Sequence, residues 1–347
     1  MLCARWRPYR LDFNFEARTS RAVMLSKDTF FVQLWDDSRP ELRVVAECPL
    51  FRGLSAEDDS GYESRLDALC RNVSADAIAR ADSSVRFGFE SALAALTVLG
   101  HEQAPHSACS GNELSYAING LVWMGDRDTM LQRLHAKLDQ GVRCVKMKIG
   151  GIDFDDELQL LHYIRQHLSA SDLELRVDAN GAFTPDNVMK RLLALEPFAI
   201  HSIEQPIRAG QPEAMADVCR RSAIPVALDE ELIGITPDSR KHELLDYVRP
   251  AYIILKPALC GGFSEADSWI DTAGRLGIGW WGTSALESNV GLAAIARWLA
   301  KYHVTMPQGL GTGELFVNNV GGGVVCHGDR LTVSRTPDFS DITLFND

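Results

Sequence analysis

The chain has 347 residues with Lys+Arg 35 against Asp+Glu 47, a net charge of -12 that repels nucleic-acid phosphate and anionic lipid alike. Hydrophobic residues at 46% and charged residues at 24% exclude a disordered chain, and the length supports two domains without disulfide staples. No apolar run approaches the roughly 20 residues of a membrane span, and MLCARWRPYR has arginines with no hydrophobic stretch behind them, so a cytoplasmic protein is expected.

In chain order, extended segments are predicted around residues 21–25, 30–35 and 44–48, followed by helical spacing over 56–70 and 75–99. This is an α+β domain over 1–110, ending in the polar, aperiodic HEQAPHSACSGNE. From 111 to 310 short apolar runs alternate with helical stretches. The runs are 116–123, 144–149, 173–180, 199–206, 225–230, 252–259 and 277–285. Helix starts are predicted at Thr184-Pro185 and Thr236-Pro237, with a capping hydroxyl before a first-turn proline, and at Ser264, three residues before Asp267. Seven βα units with no GxGxxG and no P-loop predict a parallel α/β barrel in preference to an open sheet. After residue 305 the pattern loosens into a stretch read as closing the barrel, and residues 311–347 are read as returning to the first domain, with Gly321, Gly322 and Gly323 in a turn. The eight cysteines include no CxxC pair, and Cys144 and Cys260 lie beside the charged segments described next.

Charged residues interrupt the apolar runs at a regular interval. Lys148, Asp178, Glu204, Asp229 and Lys256 fall at or near predicted strand ends, with gaps of 30, 26, 25 and 27 residues, about one βα unit each. A parallel barrel brings those ends to one face, where barrel enzymes carry their chemistry. Three carboxylates meeting there repel one another and call for a cation; oxygen-only ligation is the preference of Mg2+. Residues two apart on a strand share a face, so Lys146 points inward with Lys148, and Arg176 and Asn180 point inward with Asp178.

With these motifs in place, the chain resembles enolase-superfamily enzymes of the muconate-lactonizing type, and within them most closely the o-succinylbenzoate synthase family. The resemblance rests on VKMKIG at Lys146 and Lys148, RVDAN at Asp178, IEQP at Glu204, ALDE at Asp229 and ILKP at Lys256, with weaker support from SALESNVGLAAIARWLA and AINGLVWMG. It implies a modified TIM barrel, (β/α)7β, under an N-terminal α+β capping domain. It further implies one Mg2+ per active site, with Mn2+ as a substitute, on Asp178, Glu204 and Asp229. The implied reaction is syn dehydration of 2-succinyl-6-hydroxy-2,4-cyclohexadiene-1-carboxylate to 2-succinylbenzoate, a lyase step of menaquinone biosynthesis. Lys148 would be base and then acid, Lys146 would depress its basicity, and Lys256 would remain a cation. Arg18, Thr19 and Ser20 would close over the succinyl group; Ser284 and Leu286 would line the opposite wall; Arg176 and Asn180 would reach substrate carboxylates.

The partner expected is a small carboxylate, with no nucleic acid and no membrane, and a homo-oligomer is left open. A racemase of N-acylamino acids or an epimerase of dipeptides shares the same lysines. Dipeptide epimerases typically carry Asp-x-Asp after the last helix, where this chain has GLGTGEL, which favours the synthase. A Schiff-base aldolase would use Lys256 alone and leaves three acids unexplained. A non-enzymatic binding protein is disfavoured by the intact set of lysines and acids.

Overall fold

A computed structural model describes residues 1–18, 23–101 and 113–345. Thr19, Ser20, Arg21 and the predicted boundary at 110/111 lie outside the described residues.

The N-terminal part is a three-stranded antiparallel sheet of β1 (Leu2–Arg18), β2 (Val23–Asp36) and β3 (Arg39–Cys48). Three helices follow: α1 (Tyr62–Arg71), α2 (Ala75–Ala79) and α3 (Ser83–His101). Alternation on the strands divides one apolar run between two cores. Phe30, Val32 and Leu34 pack with Val44 and Ala46 against Tyr62, Leu66 and Phe89 of the helices. Phe31 and Val45, on the opposite face, pack against Val290, Val320 and Ile342. Both faces are covered, so the run reads as continuously hydrophobic. The 17-residue β1 was not among the predicted strands: its arginines and aspartate break the apolar pattern, and pairing with β2 supplies the order instead. The helix predicted over 75–99 is two, parted at residues 80–82, with the Ser74 hydroxyl capping the first.

After β4 (Glu113–Ala117) comes the barrel. Its strands are β5 (Gly120–Val122), β6 (Cys144–Lys148), β7 (Glu174–Asp178), β8 (Ser202–Glu204), β9 (Val226–Leu228), β10 (Tyr252–Leu255) and β11 (Gly279–Gly282). They pair in parallel, each with its sequence neighbours. Between them run α4 (Arg127–Asp139), α5 (Phe154–His167), α6 (Val188–Leu195), α7 (Pro212–Arg221), α8 (Asp238–Val248) and α9 (Gly262–Arg275), with α10 (Asn289–Leu299) after β11. Gln308 and Gly309 close the ring, bridging Ile118 on one side and Thr283 on the other. A side chain at Gly309 would overlap that of Thr283, so the seam needs glycine. The fold is therefore the (β/α)7β modified TIM barrel.

Three helix starts differ from expectation. Thr184 and Pro185 form a turn before α6, where the Asn187 side chain accepts from the Thr184 amide at 2.9 Å. Pro237 stands before α8 without a side-chain cap. Gly261, in a left-handed conformation, precedes α9, so Ser264 lies inside the helix and bonds Arg86 at 2.6 Å. The run 116–123 is likewise broken, because β4 joins β12 (Val324–His327) and β13 (Arg330–Ser334) in a separate antiparallel sheet. Before β12 the chain runs along β1: Val317 donates its amide to the Asp12 carbonyl at 2.9 Å, and the Leu315 carbonyl accepts from the Asn14 amide at 2.9 Å. The capping sheet also reaches the barrel through Glu47, whose carboxylate takes the Ser288 and Gly291 amides at the start of α10, at 2.9 and 3.2 Å.

Candidate active site

The C-terminal ends of the barrel strands open into a cavity of about 360 Å³ under the capping domain, in the size range of small-molecule sites. Lys146 and Lys148 come up from β6, Asp178 from the end of β7, Glu204 from β8, Asp229 beyond β9 and Lys256 beyond β10; the first five are buried and Lys256 is partly buried. Register explains the convergence. Lys148 lies beside Asp178, and Asp178 beside Glu204.

The polar atoms form one connected cluster. The Lys146 ammonium donates to Asp178 at 3.1 Å and to Glu204 at 2.8 Å. Lys148 donates to Asp178 and to the Asn180 side-chain oxygen, both at 2.6 Å. Lys256 is tied to Asp229. The Asn180 amide nitrogen in turn donates to Glu230 at 3.1 Å, which fixes its oxygen toward Lys148. Three ammoniums thus face three carboxylates, so the lysines supply counter-charge to the acids. Among the described residues no three acidic, histidine or cysteine side chains are gathered closely enough to hold a metal as they stand.

Electrostatics separate the members. Burial alone lowers the lysine pKa values, but the Glu204 and Asp178 carboxylates raise Lys146 and the Asp229 and Glu204 carboxylates raise Lys256, so both are held as cations. Burial disfavours the Asp178 anion, yet Lys148 and Lys146 outweigh it and hold its pKa well below the usual carboxylate range. Glu204 goes the other way: burial and then the Asp178 charge push it well above that range. One of its oxygens, Oε1, is buried with no hydrogen-bond partner. The donor set therefore suits a hard divalent cation, which would relieve the carboxylate that the cluster tolerates least as an anion.

The remaining expected residues divide. Asn180, Ser284 and Leu286 line the cavity. The Ser284 hydroxyl oxygen accepts from the Leu286 amide and from Thr312, both at 2.9 Å, which holds Leu286 at a φ of 62°. Arg176 does not reach the cavity. It faces the barrel interior as expected, but at the opposite end, donating to Glu174 at 2.7 Å and to the Pro307 carbonyl at 2.9 Å, with its guanidinium 4.4 Å from the Trp281 ring centroid. Although it is level with Lys146 in the sheet, these contacts draw its guanidinium away from the cavity, whose lining it does not join. Arg18 is exposed and paired with Glu16 at 2.5 Å, outside the cavity wall. Cys144 and Cys260 are buried, and burial raises both thiols, which removes them as nucleophiles. Sequence reasoning missed Glu230, adjacent to Asp229 in ALDEE, and the capping-domain residues Phe51, Arg52 and Leu54 of the roof. Adjacency to a strand-end acid could have found Glu230; no local signal marks the roof.

A capped barrel with two lysines flanking three strand-end acids defines an enolase-type enzyme. The family model described as enolase C-terminal domain-like matches residues 129–337. The o-succinylbenzoate synthase of Desulfotalea psychrophila is 43% identical, over 93% of this chain and 97% of that one. The crystal structure of MenC from the same organism superposes with a TM-score of 0.78, at 39% identity, covering 96% of this chain and 99% of that one. This chain belongs to the o-succinylbenzoate synthase family of the enolase superfamily. An N-succinylamino acid racemase from Amycolatopsis sp is 27% identical over 64% of this chain and 60% of its own length. The L-Ala-D/L-Glu epimerase of Bacillus subtilis shares the fold, with a TM-score of 0.82 at 18% identity.

Proposed function

We propose that the chain is a Mg2+-dependent hydro-lyase that converts 2-succinyl-6-hydroxy-2,4-cyclohexadiene-1-carboxylate to 2-succinylbenzoate by syn dehydration, a step of menaquinone biosynthesis. Asp178, Glu204 and Asp229 would hold the ion, which supplies electrostatic stabilisation for the negative charge that develops on the substrate carboxylate. The difficulty of the reaction is removal of a proton α to that carboxylate. Lys148, oriented by Asn180, takes this proton and returns it to the departing hydroxyl on the same face. Lys256, kept cationic by its carboxylate neighbours, faces the delocalised anion and the ring that becomes aromatic. Lys146 bridges Asp178 and Glu204 and sets the spacing of the acids.

The observation that carries this reading is the pair of lysines on opposite sides of the acid cluster, in a chain 43% identical to a named synthase over nearly its whole length. The test is ultraviolet detection of aromatisation with purified protein and Mg2+. Turnover that stops on chelation and returns with Mg2+ supports the proposal; turnover unaffected by excess chelator overturns the metal assignment.

A further inference from the structure

The cavity has two chemically different ends. Its floor carries Lys146, Lys148 and Lys256 with their acids, whereas its roof is built by Met24, Phe51, Leu54 and one cation, Arg52. Among the described residues lining the cavity, Arg52 is the only cation outside the floor cluster. Its guanidinium is already oriented. One terminal nitrogen, Nη1, donates to Asp58 at 2.8 Å, and Nε lies 3.5 Å from Asp28. Asp58 also accepts the Gly53 amide at 2.7 Å, so the same carboxylate shapes the loop and aims the side chain.

We propose that Arg52 is a specificity-determining residue that binds a second carboxylate, at the end of the substrate remote from the proton-transfer chemistry. The inference rests on the proposed function and deepens it: that substrate carries one carboxylate on the ring and another at the tip of the succinyl chain. With the ring carboxylate at the floor, the succinyl tail extends past the apolar roof residues toward Arg52. Guanidinium pairs bind carboxylates strongly when the fork is fixed beforehand. The pairing with Asp28 is long and both of its partners are about half exposed, at 46% and 53%, so an arriving carboxylate displaces it. Asp28 therefore acts as a competitor that moderates affinity.

The test compares two probes by calorimetric titration in Mg2+ buffer: 2-succinylbenzoate, and 2-butanoylbenzoate, in which a methyl group replaces the distal carboxylate. Wild type should prefer the succinyl compound by roughly tenfold or more. Arg52→Met should bring the two affinities within about threefold, by weakening the succinyl compound alone. Asp28→Asn should tighten the succinyl compound and leave the butanoyl compound unchanged. Equal weakening of both probes in Arg52→Met, or a preference it retains, overturns the assignment. Should Arg52→Met fail to fold, Asp28→Asn decides: no change in the ratio overturns the proposal. Absence of dehydration by wild type would instead remove the reading on which the inference stands.

Discussion

Lys148 and Lys256 flank the acid cluster but keep different company. Lys148 has an amide oxygen, that of Asn180, beside the Asp178 carboxylate, while Lys256 is tied to the Asp229 carboxylate. A base needs a lone pair and an electrostatic partner needs only charge, so the two should respond differently to substitution. Lys148→Ala should abolish both dehydration and exchange of the substrate α-proton with solvent deuterium, read by NMR. Lys256→Arg should retain measurable dehydration, because arginine preserves the cation. A racemase using both lysines would lose turnover in at least one direction in the same variant, so racemization of an N-succinyl amino acid assayed beside dehydration separates the readings. Glu287 offers a prediction of another kind. It is fully buried behind Ser284 and Leu286, and burial, against the opposing effect of Lys27, raises its pKa from the ordinary 4.5 to about 7. Below about 4.5 the folded and unfolded chains are both protonated there; between 4.5 and 7 the folded chain binds more protons, so its contribution to stability falls as pH rises. The full cost, on the order of 3 kcal/mol, is present above pH 7. Glu287→Gln should lack this slope in urea unfolding measured across that window, and an unchanged slope would refute the assignment.

The element that most depends on a distant part of the chain is α10. Its first turn is capped twice: by the Ser288 hydroxyl, which accepts from the Val290 amide at 3.2 Å, and by Glu47 of β3, which takes the Ser288 amide, the Ser288 hydroxyl and the Gly291 amide. A carboxylate at a helix N-terminus is favourable in itself, and here it joins the capping sheet to the barrel. Glu47→Ala would leave several buried donors without an acceptor, a loss of about 3 kcal/mol, seen as a lower urea midpoint. A loss under 0.5 kcal/mol would mean that water replaces the carboxylate without penalty. The central strands of the barrel were legible because β6 to β10 are each a short run ending at or just before a charge. The start of α10 was not among the predicted helix starts, and its second acceptor, Glu47, lies 241 residues away.

For the whole molecule, three ammoniums stand against three carboxylates in the cluster, and a divalent cation should shift that balance. An ion that binds only the folded chain raises its stability by mass action. Millimolar Mg2+ should raise the midpoint of thermal unfolding in wild type and in Lys148→Ala, but not in Glu204→Gln, which removes a ligand charge at nearly constant shape. An equal shift in Glu204→Gln would show that the ion binds elsewhere.

The spacing of lysines and acids at successive strand ends was enough, from sequence alone, to place Lys148, Asp178, Glu204, Asp229 and Lys256 on one face, because a βα repeat converts an interval of about 27 residues into spatial adjacency. Alternation correctly turned Arg176 toward the barrel interior, but alternation carries no depth; Glu174, Pro307 and Trp281 draw it to the far end. The stretch after residue 305 closes the barrel as expected, but the roof at Phe51, Arg52 and Leu54 and the pairing of Gln308 and Gly309 with Ile118 and Thr283 were decided by tertiary structure. These contacts join segments far apart in the chain, and no local periodicity encodes which distant surface a loop will meet.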